Sequence, residues 1–146
     1  MSRVINPESA GKERTQLLRA VVLALRELMQ QQQPDQATKD LAAFIALALE
    51  GIYATIDQSV AAWEKRDYWV KADRFRMEWD WSRRLGEAMR QAVQTEDWPN
   101  IAKTAAEVAM RVNTVKVPQR HHLGAPWVGA YQKFLQAQAA PSLRQR

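Results

Sequence analysis

The chain has 146 residues, of which 47% are hydrophobic and 25% charged, and it contains no cysteine. The apolar fraction is too high for an intrinsically disordered protein, and five glycines and six prolines are too few for a collagen-like or low-complexity chain. Without cysteine there is no disulfide framework, thiolate zinc site or cysteine nucleophile. A chain of this length is most simply a single domain.

The sequence shows no sign of membrane insertion or export. Residues 1–7 lack a basic segment that leads into an apolar stretch, so we expect no signal peptide. The longest apolar run, Leu41–Ile56, is interrupted by Glu50 and is shorter than the ~20 residues that span a bilayer. We therefore expect a soluble, cytoplasmic protein with no membrane partner.

The net charge of +5 is unevenly distributed. Residues 116–146 carry five basic side chains and no acid, whereas the charges of residues 1–115 sum to zero. The basic character therefore belongs to a C-terminal tail, which weakens the case for a phosphate-binding face on the domain itself.

Apolar residues at three- and four-residue steps predict four long helices. The first covers residues 7–33, with Asn6 as its cap and Pro34 after its end. The second covers residues 35–64, begins at the capping residue Asp35 and is apolar on so much of its circumference that it should be central.

The third helix, at residues 68–95, has the most regular apolar seam, with a 3.5-residue period typical of antiparallel bundles. The fourth covers residues 98–114, capped by Thr95 or Asp97. An arm at residues 115–146 should carry a short fifth helix near residues 126–138 and a frayed end from Pro141. The predicted seam consists of Tyr68, Ala72, Phe75, Trp79, Ser82, Gly86, Met89 and Val93.

The joint between the second and third helices lacks proline and glycine. One continuous helix over residues 35–94 would be about 90 Å long, far beyond the usual length. We place a turn at Lys65–Trp69 with Asp67 as the cap, and Thr55–Ser59 is the second choice.

Charge spacing supports this hairpin, because facing residues in an antiparallel pair have numbers of constant sum. Three acid–arginine combinations share the sum 140, and among them Glu50 with Arg90 is a candidate buried ion pair, since Glu50 interrupts an apolar stretch. The others are Asp57 with Arg83 and Glu64 with Arg76. The predicted fold is all-α, an antiparallel up-down four-helix bundle with a C-terminal arm that carries the short fifth helix.

No motif argues for catalysis, a cofactor or a metal. The loop pair His121-His122 has no cysteine or nearby acid to complete a ligand set, and phosphate-cradling and nucleophile-elbow patterns are absent. Along the third helix, acids have a basic residue three or four positions away, which is typical of surface ion-pair ladders: Asp67–Lys71, Arg74–Glu78, Arg76–Asp80, Asp80–Arg84 and Arg83–Glu87. The sequence does not decide whether the protein is an enzyme, but the absence of these motifs favours a non-enzymatic role.

Two surfaces suggest partners. The segment from Tyr68 to Arg84 interleaves aromatics with arginines, as single-strand nucleic-acid surfaces do, although burial of the seam explains most of it. A second apolar stripe on the third helix needs a cover, either residues 127–135 folded back or a second subunit, and we favour the former. The stripe consists of Trp81, Leu85, Ala88 and Ala92.

Three functional hypotheses follow. The first is a non-enzymatic helical interaction or assembly module that contacts a protein, either another protein or itself as a homodimer. The second is a nucleic-acid-associated protein that uses the helix-three arginines and the basic arm. The third is a small-ligand site near Glu50, Arg90 and Trp79. The candidate nucleic-acid contacts of the arm are Lys116, Arg120, Lys133, Arg144 and Arg146.

Overall fold

The computed structural model describes the backbone of residues 7–144 and the side chains of residues 9–137. Over this range the chain forms five α-helices and no strand, so the all-α prediction is confirmed. None of the described helices is long and apolar enough to cross a membrane. The helices are α1 (Pro7–Gln30), α2 (Gln36–Lys65), α3 (Trp69–Gln94), α4 (Trp98–Arg111) and α5 (Ala130–Arg144).

The α1–α2 turn follows its capping residues. Asp35 is the N-cap of α2, as predicted, and its carboxylate accepts hydrogen bonds from the backbone N–H and the hydroxyl of Thr38, both at 3.0 Å. α1 ends at Gln30, three residues before the predicted end, because Pro34 disfavours a helical conformation at the residue before it and Gln31–Gln33 form the turn. The proposed cap of α1, Asn6, lies outside the described residues.

The α2–α3 turn is where we placed it, but Asp67 has a different role from the one expected. Asp67 adopts φ 61° directly after α2. The N–H of Tyr68 donates to the carbonyl of Trp63 at 2.9 Å, and the N–H of Asp67 donates to that of Glu64 at 3.1 Å. These two bonds form a Schellman motif, so Asp67 terminates α2 in the left-handed region instead of capping α3.

The α3–α4 turn repeats this motif. Glu96 has φ 49°, and the N–H of Asp97 donates to the carbonyl of Ala92 at 2.9 Å. Asp97 then serves as the N-cap of α4, which confirms one of the two predicted alternatives. Its carboxylate accepts a hydrogen bond from the N–H of Asn100 at 3.2 Å. α4 ends at Arg111, three residues earlier than expected.

α2 is the central helix and packs against α1, α3 and α5, while α4 packs mainly against α3. Two glycines permit close helix contacts. A Cβ at Gly51 would lie 3.1 Å from Leu17 Cδ1, and one at Gly86 would lie 3.3 Å from the Cβ of Leu49. The largest cluster of buried apolar residues surrounds the N-terminal half of α2 and includes Leu41, Ile45, Leu49, Ile52, Met89, Val108 and Phe134.

Ion pairs show that α2 and α3 are antiparallel. Arg90 binds Glu50 and Arg76 binds Glu64, which are two of the three combinations with the sum 140. The middle combination does not form, because Arg83 binds Asp80 at 3.0 Å and Glu87 at 3.4 Å on its own helix.

α5 is held against α2 by Asp40. This carboxylate accepts hydrogen bonds from the backbone N–H groups of Gly129 (3.2 Å) and Tyr131 (3.0 Å), at the start of α5. Trp127 adds an edge contact to Phe44, with ring centroids 6.5 Å apart. α5 begins four residues later than predicted, because the chain turns at residues 126–129 and Gly129 has φ 78°, and it continues past Pro141 to Arg144.

Candidate functional site

Large apolar side chains are exposed together at the turn between α2 and α3. Tyr68, Trp69 and Val70 are consecutive and are 52%, 55% and 67% exposed, and Met77 lies two turns along α3 from Val70 with 77% exposure. Tyr68 was expected in the buried seam, and that prediction is wrong because Tyr68 is the N-cap of α3 and stands outside the helical repeat. Exposed apolar clusters of this kind mark contact surfaces.

Basic side chains surround these residues without acidic partners. In the part of the chain that the structure describes, no carboxylate lies within 4.0 Å of the side-chain nitrogens of Lys65, Arg66, Lys71 or Arg74. Lys71 instead places its ammonium group 4.6 Å from the ring centre of Trp63. These cations are free to meet an anionic group.

Four of the five ion pairs predicted along α3 do not form among the described residues. Lys71 and Arg74 therefore lack the acidic partners that were predicted for them. Arg74 does not pair with Glu78, nor Lys71 with Asp67, and Arg76 binds Asp73 at 2.9 Å rather than Asp80. The carboxylate of Asp80 binds Arg83, three positions away, and Arg84 contacts Glu107 of α4 at 4.0 Å. Among the described residues, Arg83–Glu87 is the one pair of this predicted ladder that forms.

Two surface cavities of 580 and 500 Å³ lie side by side at this end of the molecule. Both are lined by Val70 and Lys71, so they form one continuous surface. Together with the exposed Met77 on α3, we call it the tip surface and define it by Trp63, Tyr68, Trp69, Val70, Lys71, Arg74 and Met77. The acids Asp67 and Glu78 also line the two cavities.

An aromatic ladder supports the tip surface from beneath. Trp63 contacts Phe75 edge-on at 4.8 Å, Phe75 lies 6.2 Å from Trp79, and Trp79 stacks on Trp81 at 5.8 Å. Only Trp81, at the far end of the ladder, is buried, whereas the other three rings are partly exposed. The ladder therefore becomes more accessible toward the tip.

Arg14 of α1 anchors this ladder. Its guanidinium donates to Thr55 Oγ1 at 3.0 Å and to Ser59 Oγ at 2.8 Å, and it lies 4.9 Å from the ring centre of Phe75. Burial lowers the pKa of Arg14 from its usual value, and no carboxylate of the described residues lies within 4.0 Å of its guanidinium to compensate the desolvation. The side chain thus links α1, α2 and α3 below the tip.

The second apolar stripe of α3 is covered within the chain. Leu85 and Ala92 are 2% and 4% exposed, and Trp81 is also buried. Leu85, Ala88 and Ala92 line a groove with residues of α4, so α4 provides the cover rather than residues 127–135, which pack on α2. Of the four residues of the stripe, only Ala88 remains exposed.

Glu50 and Arg90 form a bidentate ion pair, with two hydrogen bonds of 2.7 Å. Their side chains are 39% and 26% exposed, so the pair lies at the surface and is not deeply buried. The hydrogen bonds to Glu50 raise the pKa of Arg90. Trp79 is 11 positions from Arg90 on α3, about 16 Å along the axis, so these three residues do not form one site.

The basic residues of the arm are distributed over two elements. Lys116 and Arg120 are exposed in the loop after α4, and Lys133 is exposed on α5. The side chain of Arg144 and the whole of Arg146 lie outside the described residues.

The paired histidines show local backbone roles. His121 Nδ1 accepts a hydrogen bond from the N–H of Leu123 at 3.0 Å, and His122 has φ 57°. No group of three or more acids and histidines with metal-binding geometry occurs among the described residues.

No known protein family, curated protein or solved structure matches this chain.

The sequence marked the segment from Tyr68 to Arg84 as a possible partner surface, but most of it was attributed to burial of the seam, although one signal for an uncovered face was present. The third helix was predicted to have 28 residues and the fourth only 17, so part of the third helix had to lack a neighbour. Treating the seam as uniformly buried concealed this difference.

Proposed function

We propose that this protein is a non-enzymatic interaction module, built as an antiparallel four-helix bundle, that binds another protein through the tip surface. The observation that carries the proposal is the run Tyr68-Trp69-Val70, whose three large side chains are all more than half exposed next to concave surface. Tyrosine, tryptophan, methionine and arginine are the residue types enriched at the centres of protein interfaces, and the tip surface combines all four.

Two further features support a binding role for this end of the molecule. The Schellman turn fixes the backbone at Asp67 and Tyr68, and the Arg14 contacts fix the ladder beneath. A surface held in one conformation loses little entropy when it binds. The tip surface is thus preorganised.

Site-specific photocrosslinking in the cells from which the protein comes tests this proposal. A photoreactive amino acid replaces Trp69 in one variant and Val70 in another, and a third carries it at the exposed Gln94, at the opposite end of α3. We expect one identifiable partner protein to be crosslinked at positions 69 and 70 and not at 94. Equal labelling at all three positions, or no protein adduct at the tip, would refute the proposal.

A nucleic-acid function is the second candidate, favoured by the exposed Tyr68 and Trp69 next to unpaired cations. Single-stranded nucleic acids bind by stacking bases on aromatic rings and by placing phosphates next to basic side chains. Tyr68 and Trp69 offer the rings, and Lys71 and Arg74 offer the charges. This candidate predicts tight binding of single-stranded oligonucleotides that weakens steeply with salt and is lost in Trp69→Ala. Affinity that is flat from low to moderate salt eliminates it.

A further inference from the structure

One face of α3 is covered by α4 for only part of its length. α3 has 26 residues and α4 has 14, which makes α3 about 18 Å longer at 1.5 Å per residue. The two helices are antiparallel, and the contact between Arg84 and Glu107 places Arg111, the last residue of α4, opposite Asp80. The part of α3 from Trp69 to Trp79 therefore has no α4 residue opposite it.

The uncovered face is the continuation of the covered one. α3 contributes one face to its groove with α4, and the residues of that face are Arg84, Leu85, Ala88, Gln91 and Ala92. Two heptads earlier, the same face consists of Val70, Lys71, Arg74, Met77 and Glu78. Four of these five line the 500 Å³ cavity of the tip surface, so the face that borders a groove beside α4 borders, two heptads earlier, an open depression with no α4 residue opposite it.

The chemistry of this continuation differs from that of the covered part. Lys71 and Glu78 are exposed at the positions where Leu85 and Ala92 are buried two heptads later. Charged residues at these positions keep the face hydrated when nothing is bound, which is typical of reversible and not of obligate interfaces. Val70 and Met77, two turns apart along one edge of this face, supply the apolar contacts.

We propose that an acidic amphipathic helix of a partner protein docks on this face of α3, in line with α4. The inference rests on the proposed function and specifies its partner. Apolar residues of the partner helix pack on Val70 and Met77, while its carboxylates pair with Lys71 and Arg74, which have no acidic neighbour within 4.0 Å among the described residues. About three helical turns, roughly 16 Å, fill the uncovered length.

Charge complementarity distinguishes this occupant from a second copy of the chain. A symmetric contact between two tip surfaces would bring the four cations of one copy, Lys65, Arg66, Lys71 and Arg74, near the same residues of the other, and the two acids that line the cavities, Asp67 and Glu78, are too few to balance them. Like charges brought together in this way oppose association. An acidic helix removes this repulsion and uses the same apolar contacts.

The test uses a fluorescently labelled, stapled 14-residue helical peptide with leucine at every third or fourth position and glutamate on the flanks. Its counterpart has lysine in place of each glutamate. In low salt we expect the full-length protein to bind the acidic peptide at least tenfold more tightly than the basic one, measured by anisotropy. Equal affinities for the two peptides would overturn the inference.

Because the whole protein is basic, the decisive step is a charge reversal with a matched control. Lys71→Glu/Arg74→Glu should invert the preference between the two peptides. Arg26→Glu/Lys103→Glu alters the total charge equally at two exposed cations of α1 and α4, away from residues 69–79 of α3, and should leave the preference intact; neither has a carboxylate within 4.0 Å among the described residues. If both double variants lose it equally, the binding is non-specific and the inference is wrong.

An apolar variant and circular dichroism complete the design. Met77→Ser should weaken acidic-peptide binding severalfold with unchanged helicity, because Met77 is exposed in the free protein. Tighter binding of a single-stranded oligonucleotide than of the acidic peptide, abolished by Lys71→Glu/Arg74→Glu, would overturn the inference in favour of nucleic acid. A concentration-dependent dimer lost in the same variant would overturn it in favour of self-association.

The outcomes separate the two levels of the proposal. A protein crosslinked at positions 69 and 70, together with no preference for the acidic peptide, would leave the proposed function standing and refute only the acidic-helix partner. Absence of a protein crosslink at the tip would refute the function itself.

Discussion

The two ends of the α2–α3 hairpin are both helical, but different numbers of neighbouring helices pack against them. At the end near residues 36–52 of α2, the helices α1, α3, α4 and α5 enclose a core in which Ile45 and Leu49 are fully buried. At the other end, α4 does not extend far enough, and residues 63–79 present partly exposed aromatics above a small core of Ile56, Val60 and Ala72. The length of α4 thus decides whether equivalent positions of α3 are buried, as Leu85 and Ala92 are, or exposed, as Lys71 and Glu78 are two heptads earlier.

Because of this difference, we expect the residues that stabilise the fold and the residues that bind a partner to lie at opposite ends of the hairpin. The enclosed end has the apolar burial that drives folding. The tip end has exposed aromatics and unpaired cations, which contribute little to folding and are available to a partner. We therefore expect substitutions to sort by location, and the predictions that follow run from the largest effect to the smallest.

Truncation of one apolar side chain at each end gives the largest contrast. Ile45→Ala in the enclosed core should lower the free energy of unfolding by about 2–5 kcal/mol, because it leaves a cavity among fully buried neighbours. Met77→Ala on the tip surface should change it by less than about 0.5 kcal/mol. Urea unfolding of both variants measures the two values, and similar losses would show that the tip is as enclosed as the core.

Removal of the Glu50 charge tests whether that ion pair is structural. Glu50→Gln should lower the free energy of unfolding by about 1 kcal/mol, since the pair is bidentate but partly screened by solvent. Peptide binding at the tip should be unaffected, because Glu50 lies about three and a half turns, roughly 20 Å, along α2 from Trp63. A variant with full stability and impaired binding would assign Glu50 to a binding site instead.

The two Schellman turns provide a matched pair of backbone substitutions. Asp67→Gly should raise the free energy of unfolding by about 0.5–1 kcal/mol, because glycine adopts positive φ without steric cost. Glu96→Gly should give a smaller gain, since it also removes the 2.9 Å ion pair between Glu96 and Lys39. Thermal unfolding compares them, and a loss of stability in Asp67→Gly would contradict the assigned role of Asp67.

The smallest effect is a pH dependence at the N-cap of α2. Hydrogen bonding from the backbone N–H of Thr38 lowers the pKa of Asp35 below its ordinary value of 3.8. A lowered folded-state pKa means that this stabilisation is present above pH 3.8 and is lost as the pH falls through the lowered pKa. Asp35→Asn should therefore lose less stability than the wild type on acidification to about pH 3, and parallel pH curves in urea unfolding would contradict this.

Most of the helical framework was predictable because local chemistry marks it. Asp35, Asp97 and Pro34 mark helix boundaries, and the 140 sum anticipated the α2–α3 register. The Schellman turns were harder to locate, because Asp67 and Glu96 occupy positions where glycine is the usual signal.

The candidate site was not predictable from periodicity. A seam reports which residues share a face of a helix, but whether that face is covered depends on the length and position of other elements. Phe75 and Trp79 belong to the seam and yet are partly exposed, whereas Trp81 lies off it and is buried. An exposed Trp69 alone does not indicate a binding surface, whereas Trp69 together with the exposed Tyr68 and Val70 does.

The six tryptophans allow the most direct test of the claim that the tip is the binding end. Their indole N–H signals in the ¹⁵N-labelled protein report on the tip (Trp63, Trp69), the middle of α3 (Trp79, Trp81) and the enclosed end (Trp98, Trp127). On titration with the acidic helical peptide, we predict that the signals of Trp63 and Trp69 shift and that those of Trp98 and Trp127 do not. Shifts confined to Trp98 and Trp127, or an unperturbed Trp69 at saturating peptide, would contradict the account.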